Sequence, residues 1–254
     1  MANGRERVWG ADRAREVDSA QLSLAARRTW GGPRTGAGRK AAARRSVPHV
    51  RRPRHWASCP VHVTLRRAKG LPSLRSERVC REIREAARAT RREGFRIVHF
   101  TVQADHVHLI VEASGDGALS AGMKSFAVRA ARRVNSRVLR RRGSVWGERH
   151  HRRDLRSPRA VRSALVYVMS NHLKHHEWNA WLVDPCSSGP WFQGWMQKVA
   201  PPPGPAPVEP AQTWLLARGW HGNWHFIHLG ELPHALREAM RTVRSTPPAA
   251  AARA

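Results

Sequence analysis

Phe95-Arg96-Ile97-Val98-His99-Phe100-Thr101-Val102-Gln103, followed after a single residue by Asp105-His106-Val107-His108-Leu109-Ile110-Val111-Glu112, is the stretch whose reading decides the fold. Both runs are rich in Val, Ile and Phe and are of strand length, and the short gap between them predicts an antiparallel hairpin. Ser114-Gly115-Asp116-Gly117 ends the pair. On the N-terminal side, Val61, Val63 and Leu65 alternate with His62, Thr64 and Arg66 as a half-buried strand should, until Gly70-Leu71-Pro72 breaks the pattern. Between that strand and the hairpin, Ser76 is a candidate N-cap. Val79, Ile83, Ala86, Ala87 and Thr90 then form a helical stripe that ends by Gly94.

Beyond the hairpin a second helix is expected from about Leu119 to Leu139, with Met123, Phe126, Ala127, Ala130, Val134 and Val138 inward and a basic outer face. Val145 to Leu155 reads as a short strand or loop. Ser157-Pro158 starts a third helix that carries Val161, Ala164, Leu165 and Val168 and runs to about His176. The order strand, helix, strand, strand, helix, weak strand, helix predicts an α+β fold of the ferredoxin-like kind, an antiparallel sheet with helices packed on one face. The expected organisation is a flexible basic arm over 1–55, a compact domain over 56–182 and a Pro-rich tail over 183–254. That tail has two short helix-like stretches, Gln212 to Trp220 and Pro233 to Val243.

The composition narrows the partner. The 254 residues include 46 Lys plus Arg against 18 Asp plus Glu, a formal net charge of +28, which points to a polyanion and foremost to nucleic acid. No run is long and apolar enough for a membrane span, and the N-terminal residues lack the apolar stretch of a signal peptide, so a cytoplasmic protein with no membrane partner is expected. Cys59, Cys80 and Cys186 are few and scattered, and are expected to be reduced and structural.

Chemistry gathers at two places. His106 and His108 flank one apolar residue inside a strand, so both imidazoles point to one face, where they suit a single divalent cation or form merely a polar face of the sheet. On the third helix Tyr167, Asn171 and Lys174 share one stripe. Tyr167 has apolar neighbours and could be core. However, a chain with 11 Trp, five Phe and one Tyr supplies aromatic bulk elsewhere, and a hydroxyl is wanted here. His172, His175 and His176 read as a DNA-facing helix end.

Asp105-His106-Val107-His108-Leu109-Ile110-Val111 resembles the HUH strand of the single-tyrosine transposases, and Tyr167-Val168-Met169-Ser170-Asn171 resembles their nucleophile helix; the REP-associated tyrosine transposases are the most similar group. The likeness covers about residues 56–182. It implies a ferredoxin-like core in which His106, His108 and Asn171 hold Mg or Mn and Tyr167 attacks a phosphodiester of single-stranded or hairpin DNA. The product would be a 5′-phosphotyrosine that a 3′-hydroxyl can later reverse. A phenol with an ordinary pKa near 10 needs such a cation to polarise the phosphate. The resemblance leaves open a homodimer, with the site built within one chain or between two. At His150 the chain departs from members that carry an aromatic residue there.

The expected DNA contacts are Lys124, Arg129, Arg132, Arg133, Arg140, Arg141 and Arg142 on the basic helix, Arg149, Arg152 and Arg153 in the following segment, and Lys174. Trp56 and Trp146 are either base-stacking residues or core. The leading reading is a metal-dependent endonuclease and strand transferase. Against it stand a non-catalytic hairpin-binding protein that keeps the fold, and a phosphoesterase that uses water and does not require Tyr167.

Overall fold

Alternation is sufficient to orient the first strand. In β1 (Val61–Arg66), Val61, Val63 and Leu65 are buried on one face, while His62 and Thr64 point to the other. The computed structural model describes residues 52–174, 183–222 and 226–233, all within the compact unit Ser46–Ala254. The arm over 1–51, His175, His176 and nearly all of the Pro233 to Val243 stretch lie outside the described residues. Three further strands follow: β2 (Phe95–Val102), β3 (His106–Ala113) and β4 (His151–Asp154). They form one antiparallel sheet in the order β2-β3-β1-β4, the ferredoxin-like arrangement.

Helices α1 (Glu77–Arg88) and α2 (Asp116–Arg133) pack on the face that carries Val61, Leu109 and Phe100. Ser76 caps α1 by accepting the Val79 N–H, and Val79, Ile83, Ala86 and Ala87 are buried at helical spacing. A π-helical turn, Val134–Leu139, prolongs α2 and ends at Arg140, which has a φ of 50°. The third helix, α3 (Pro158–Ser170), is capped by Ser157 and covers the opposite face, where Val161, Leu165, Val168 and Met169 meet Ile110 and Val98. The sheet is therefore covered on both sides. Two helices share one face as expected and the third crosses the other.

A bulge between Ile97 and His99 sets the faces of β2. Phe95 and Ile97 before it, and Phe100 and Val102 after it, all enter the α1/α2 core, although a strict two-residue period would send the second pair outward. The slip leaves His99 and Thr101 on the α3 face.

The C-terminal segment is built into this scaffold. Val102 N–H donates to Cys186 O and Ser188 N–H to Phe100 O, so residues 184–188 run beside β2. Asp184, fully buried, accepts from both Arg75 Nη atoms at 2.7 and 3.0 Å and from Thr101 Oγ1 at 3.0 Å. This contact brings Cys186 against α1, and Cys80 and Cys186 form a disulfide. The expectation that both are reduced is thereby corrected, because spacing along the chain hides the approach of residues 106 apart in sequence. Cys59 is free and buried. Farther on, Thr213 caps the one-turn helix α4 (Trp214–Ala217) and, with Gln212, is held by the buried carboxylate of Glu112 on β3. No helix among the described residues is long and apolar enough to cross a membrane.

Candidate active site

The face of the sheet under α3 gathers the polar residues of three strands. Thr64 and His108 are direct partners across β1 and β3, Thr101 flanks His108 on β2, and His62 pairs with Ile110 on one side and Arg153 on the other. His106 and His108 therefore project together, their ring centroids 4.5 Å apart. Tyr167 descends from α3 onto the same spot, its ring edge-on to His108 at 5.0 Å and to His62 at 5.8 Å. Asn171 follows one turn later, at the start of a 3₁₀ turn (Asn171–Lys174) that ends in Lys174.

Each histidine of the pair is held through Nδ1. His106 Nδ1 lies 2.5 Å from the Asp105 carboxylate, which accepts its proton. His108 Nδ1 lies 3.1 Å from both Thr64 Oγ1 and His62 Nε2. Partners on Nδ1 set the tautomer so that Nε2 carries the lone pair, the arrangement by which metal-binding imidazoles are oriented. His62 is an acceptor that stays neutral. Burial, reinforced by Arg153, His151 and His106, lowers its pKa to about 4.

Asn171 is 1 % exposed, and neither its Oδ1 nor its Nδ2 finds a hydrogen bond among the described residues. A buried carboxamide left so is unfavourable unless something else satisfies it. No group of three or more His, Cys, Asp or Glu among the described residues is arranged to hold a metal ion. A cation here would need the Asn171 oxygen beside the two histidines, a mixed N/O donor set of the kind a divalent ion takes. The residues present fit such an ion. Burial raises the Tyr167 pKa further above its usual value, so the phenol is protonated at neutral pH.

The expected DNA-contacting residues divide. Lys124, Arg129, Arg132, Arg140, Arg141, Arg142, Arg149 and Arg153 are exposed. Arg133 is drawn inward to the buried Glu82 at 2.9 Å, and Arg152 bonds Asp116 at 3.1 Å as well as the Pro53 carbonyl. Trp146 donates its indole N–H to Ala127 O and packs on the core, whereas Trp56 is 54 % exposed under the Arg54 guanidinium. His172 is buried rather than facing DNA. His62, Thr64 and Asp105 are the site residues that sequence reading missed. The β1 alternation signalled that His62 and Thr64 share the polar face, but their register against His108 has no local signature.

Residues 57–156 match the family model described as Transposase IS200 like. The match spans less than half of the chain. The matched segment runs from just before β1 to just past β4 and holds His62, His106 and His108; it ends before α3, so Tyr167 and Asn171 lie beyond it. Among solved structures, a REP-associated tyrosine transposase bound to a REP hairpin is 18% identical, over 51% of this chain and 74% of that one, with a TM-score of 0.42. No curated protein matches the chain.

Proposed function

We propose that the chain is a tyrosine transposase that cleaves and rejoins single-stranded DNA beside hairpins. The observation that carries this reading is the convergence of Tyr167 on His108 and His106 across the α3 face. In the proposed step a bond forms between Tyr167 Oη and phosphorus, and the bond from phosphorus to O3′ breaks. The phenol proton leaves to solvent and the departing oxygen takes one up, which gives a 5′-phosphotyrosine and a free 3′-hydroxyl. The phosphodiester energy is kept in the link, so a second 3′-hydroxyl can reverse the step.

His106, His108 and Asn171 are the residues that would hold Mg or Mn, which when bound polarises the scissile phosphate and offsets its developing charge. Asp105, Thr64 and His62 keep the two imidazoles turned and deprotonated at Nε2. Arg153, the partner of His62 across β1 and β4, is the cation proposed to meet a phosphate oxygen. The exposed cations of α2 and its extension follow the strand outside the site.

The test is incubation of the whole chain with Mn and a labelled single-stranded hairpin oligonucleotide, followed by a denaturing gel. The expected result is a covalent adduct in the native chain and none in Tyr167→Phe. Cleavage that survives in Tyr167→Phe points instead to a water-using phosphoesterase, and binding without either product points to a hairpin-binding protein.

A further inference from the structure

Beside the β2 edge, the described residues enclose a cavity of about 560 Å³, within the usual range for a small-molecule site. Its floor is Phe192 and Trp220, 8 % and 4 % exposed, with ring centroids 5.9 Å apart. At the mouth stands Phe226, 48 % exposed and 6.4 Å from the Trp220 ring.

Several polar groups accompany the rings, among them Gln193 and His221, whose ring lies 5.1 Å from that of Trp220. Glu209 is fixed by its backbone N–H, which donates to Ile97 O at 2.9 Å, and its carboxylate makes no hydrogen bond or ion pair to another described residue. The Trp191 indole N–H is shut off from water without a partner among the described residues. His99, edge-on to Phe192 at 5.1 Å, is neutral because burial lowers its pKa to about 3. Among the described residues no Lys or Arg lines the cavity, in a chain of net charge +28. Such a lining rejects a phosphate and accepts an uncharged, flat, hydrogen-bonding ring.

Position agrees with this. His99 pairs with Ile110, two residues along β3 from His108, so the cavity wall and the histidine pair share one sheet face. Two residues along and one strand across amount to about 8 Å.

We propose that this pocket takes up one unstacked base of the single strand processed at Tyr167 and reads it as guanine through Glu209. The inference rests on the transposase reading above. Stacking on Phe226, whose ring is tilted 55° from that of Trp220, is indifferent to base identity. Guanine presents N1–H and N2–H side by side to the two carboxylate oxygens, an edge that thymine lacks.

The test uses the whole chain and two labelled single strands of equal length, one containing guanine and the other oligothymidine. By fluorescence anisotropy the native chain binds the guanine strand about tenfold more tightly. Glu209→Gln removes the preference, and Phe226→Ala weakens both strands several-fold. Phe226 is exposed and Glu209 makes no described ion pair, so both variants retain the native Tm. Equal binding of the two strands, or a preference that survives Glu209→Gln, overturns the pocket. The Tyr167 adduct assay separates the two ideas: an adduct formed with no base preference refutes the pocket and leaves the transposase. Base preference without any adduct upholds the pocket and counts against Tyr167 alone.

Discussion

His62 shows how a single residue can matter to the proposed metal site without being a ligand. Its Nε2 faces His108 Nδ1 at 3.1 Å, behind the imidazole, and the three histidines form no ligand cluster among the described residues. It is thus a positioning residue, and its loss should act through His108. Replacing the partner of a metal-binding imidazole lowers affinity by about 10–100-fold. The expected outcome for His62→Ala is a Mn affinity reduced by about tenfold, with Thr64 Oγ1 retaining part of the orientation. Mn titration followed by electron paramagnetic resonance reads this without any DNA present. An unchanged affinity, with the loss appearing only in Thr64→Val, would assign the role to the hydroxyl instead.

Among the elements, β1, β3 and α1 were legible because each repeats one period without interruption: Val61, Val63 and Leu65 in the strand, and Val79, Ile83 and Ala87 in the helix. The pair His106 and His108 shares a face for the same reason, and Tyr167 and Asn171 lie one helical turn apart. What lay hidden depends on contacts distant in sequence. The β2 bulge changes the period midway, the disulfide joins residues in different segments, and Glu112 reaches past α2, β4 and α3 to hold Thr213. Gly122 belongs with these. It sits on the buried side of α2, where an added Cβ would overlap the ring of Phe95, itself 1 % exposed and unable to move aside. In an open helix Gly→Ala gains about 1 kcal/mol of propensity, but overpacking a core of this kind costs about 1–3 kcal/mol. With three ring atoms inside contact distance the collision wins. Gly122→Ala should lower stability by about 2 kcal/mol in urea titration, and a rise would show that α2 can shift away from the sheet.

For the whole molecule, +28 suits the phosphates of the proposed DNA substrate, and among the described residues the basic side chains are of two kinds. Arg133 and Arg152 are engaged with Glu82 and Asp116, whereas Arg140, Arg141 and Arg142 stand exposed at the end of the α2 extension. Each phosphate neutralised on a single strand contributes about −0.7 to the slope of log affinity against log salt. If about half of the nine exposed cations from Lys124 to Arg153 meet phosphate, the slope is about −3. The double variant Arg141→Ala, Arg142→Ala should therefore flatten that slope by about 1.4 and leave the Tm where it is. Arg152→Ala should do the reverse, because it frees Asp116 and the Pro53 carbonyl from the contacts that dock residues 52–55 on the sheet. Salt-dependent anisotropy and a thermal melt on the two variants decide the matter. A slope that ignores the exposed pair but responds to Arg152 would move the DNA path from the α2 extension to the β4 edge, next to Arg153 and Tyr167.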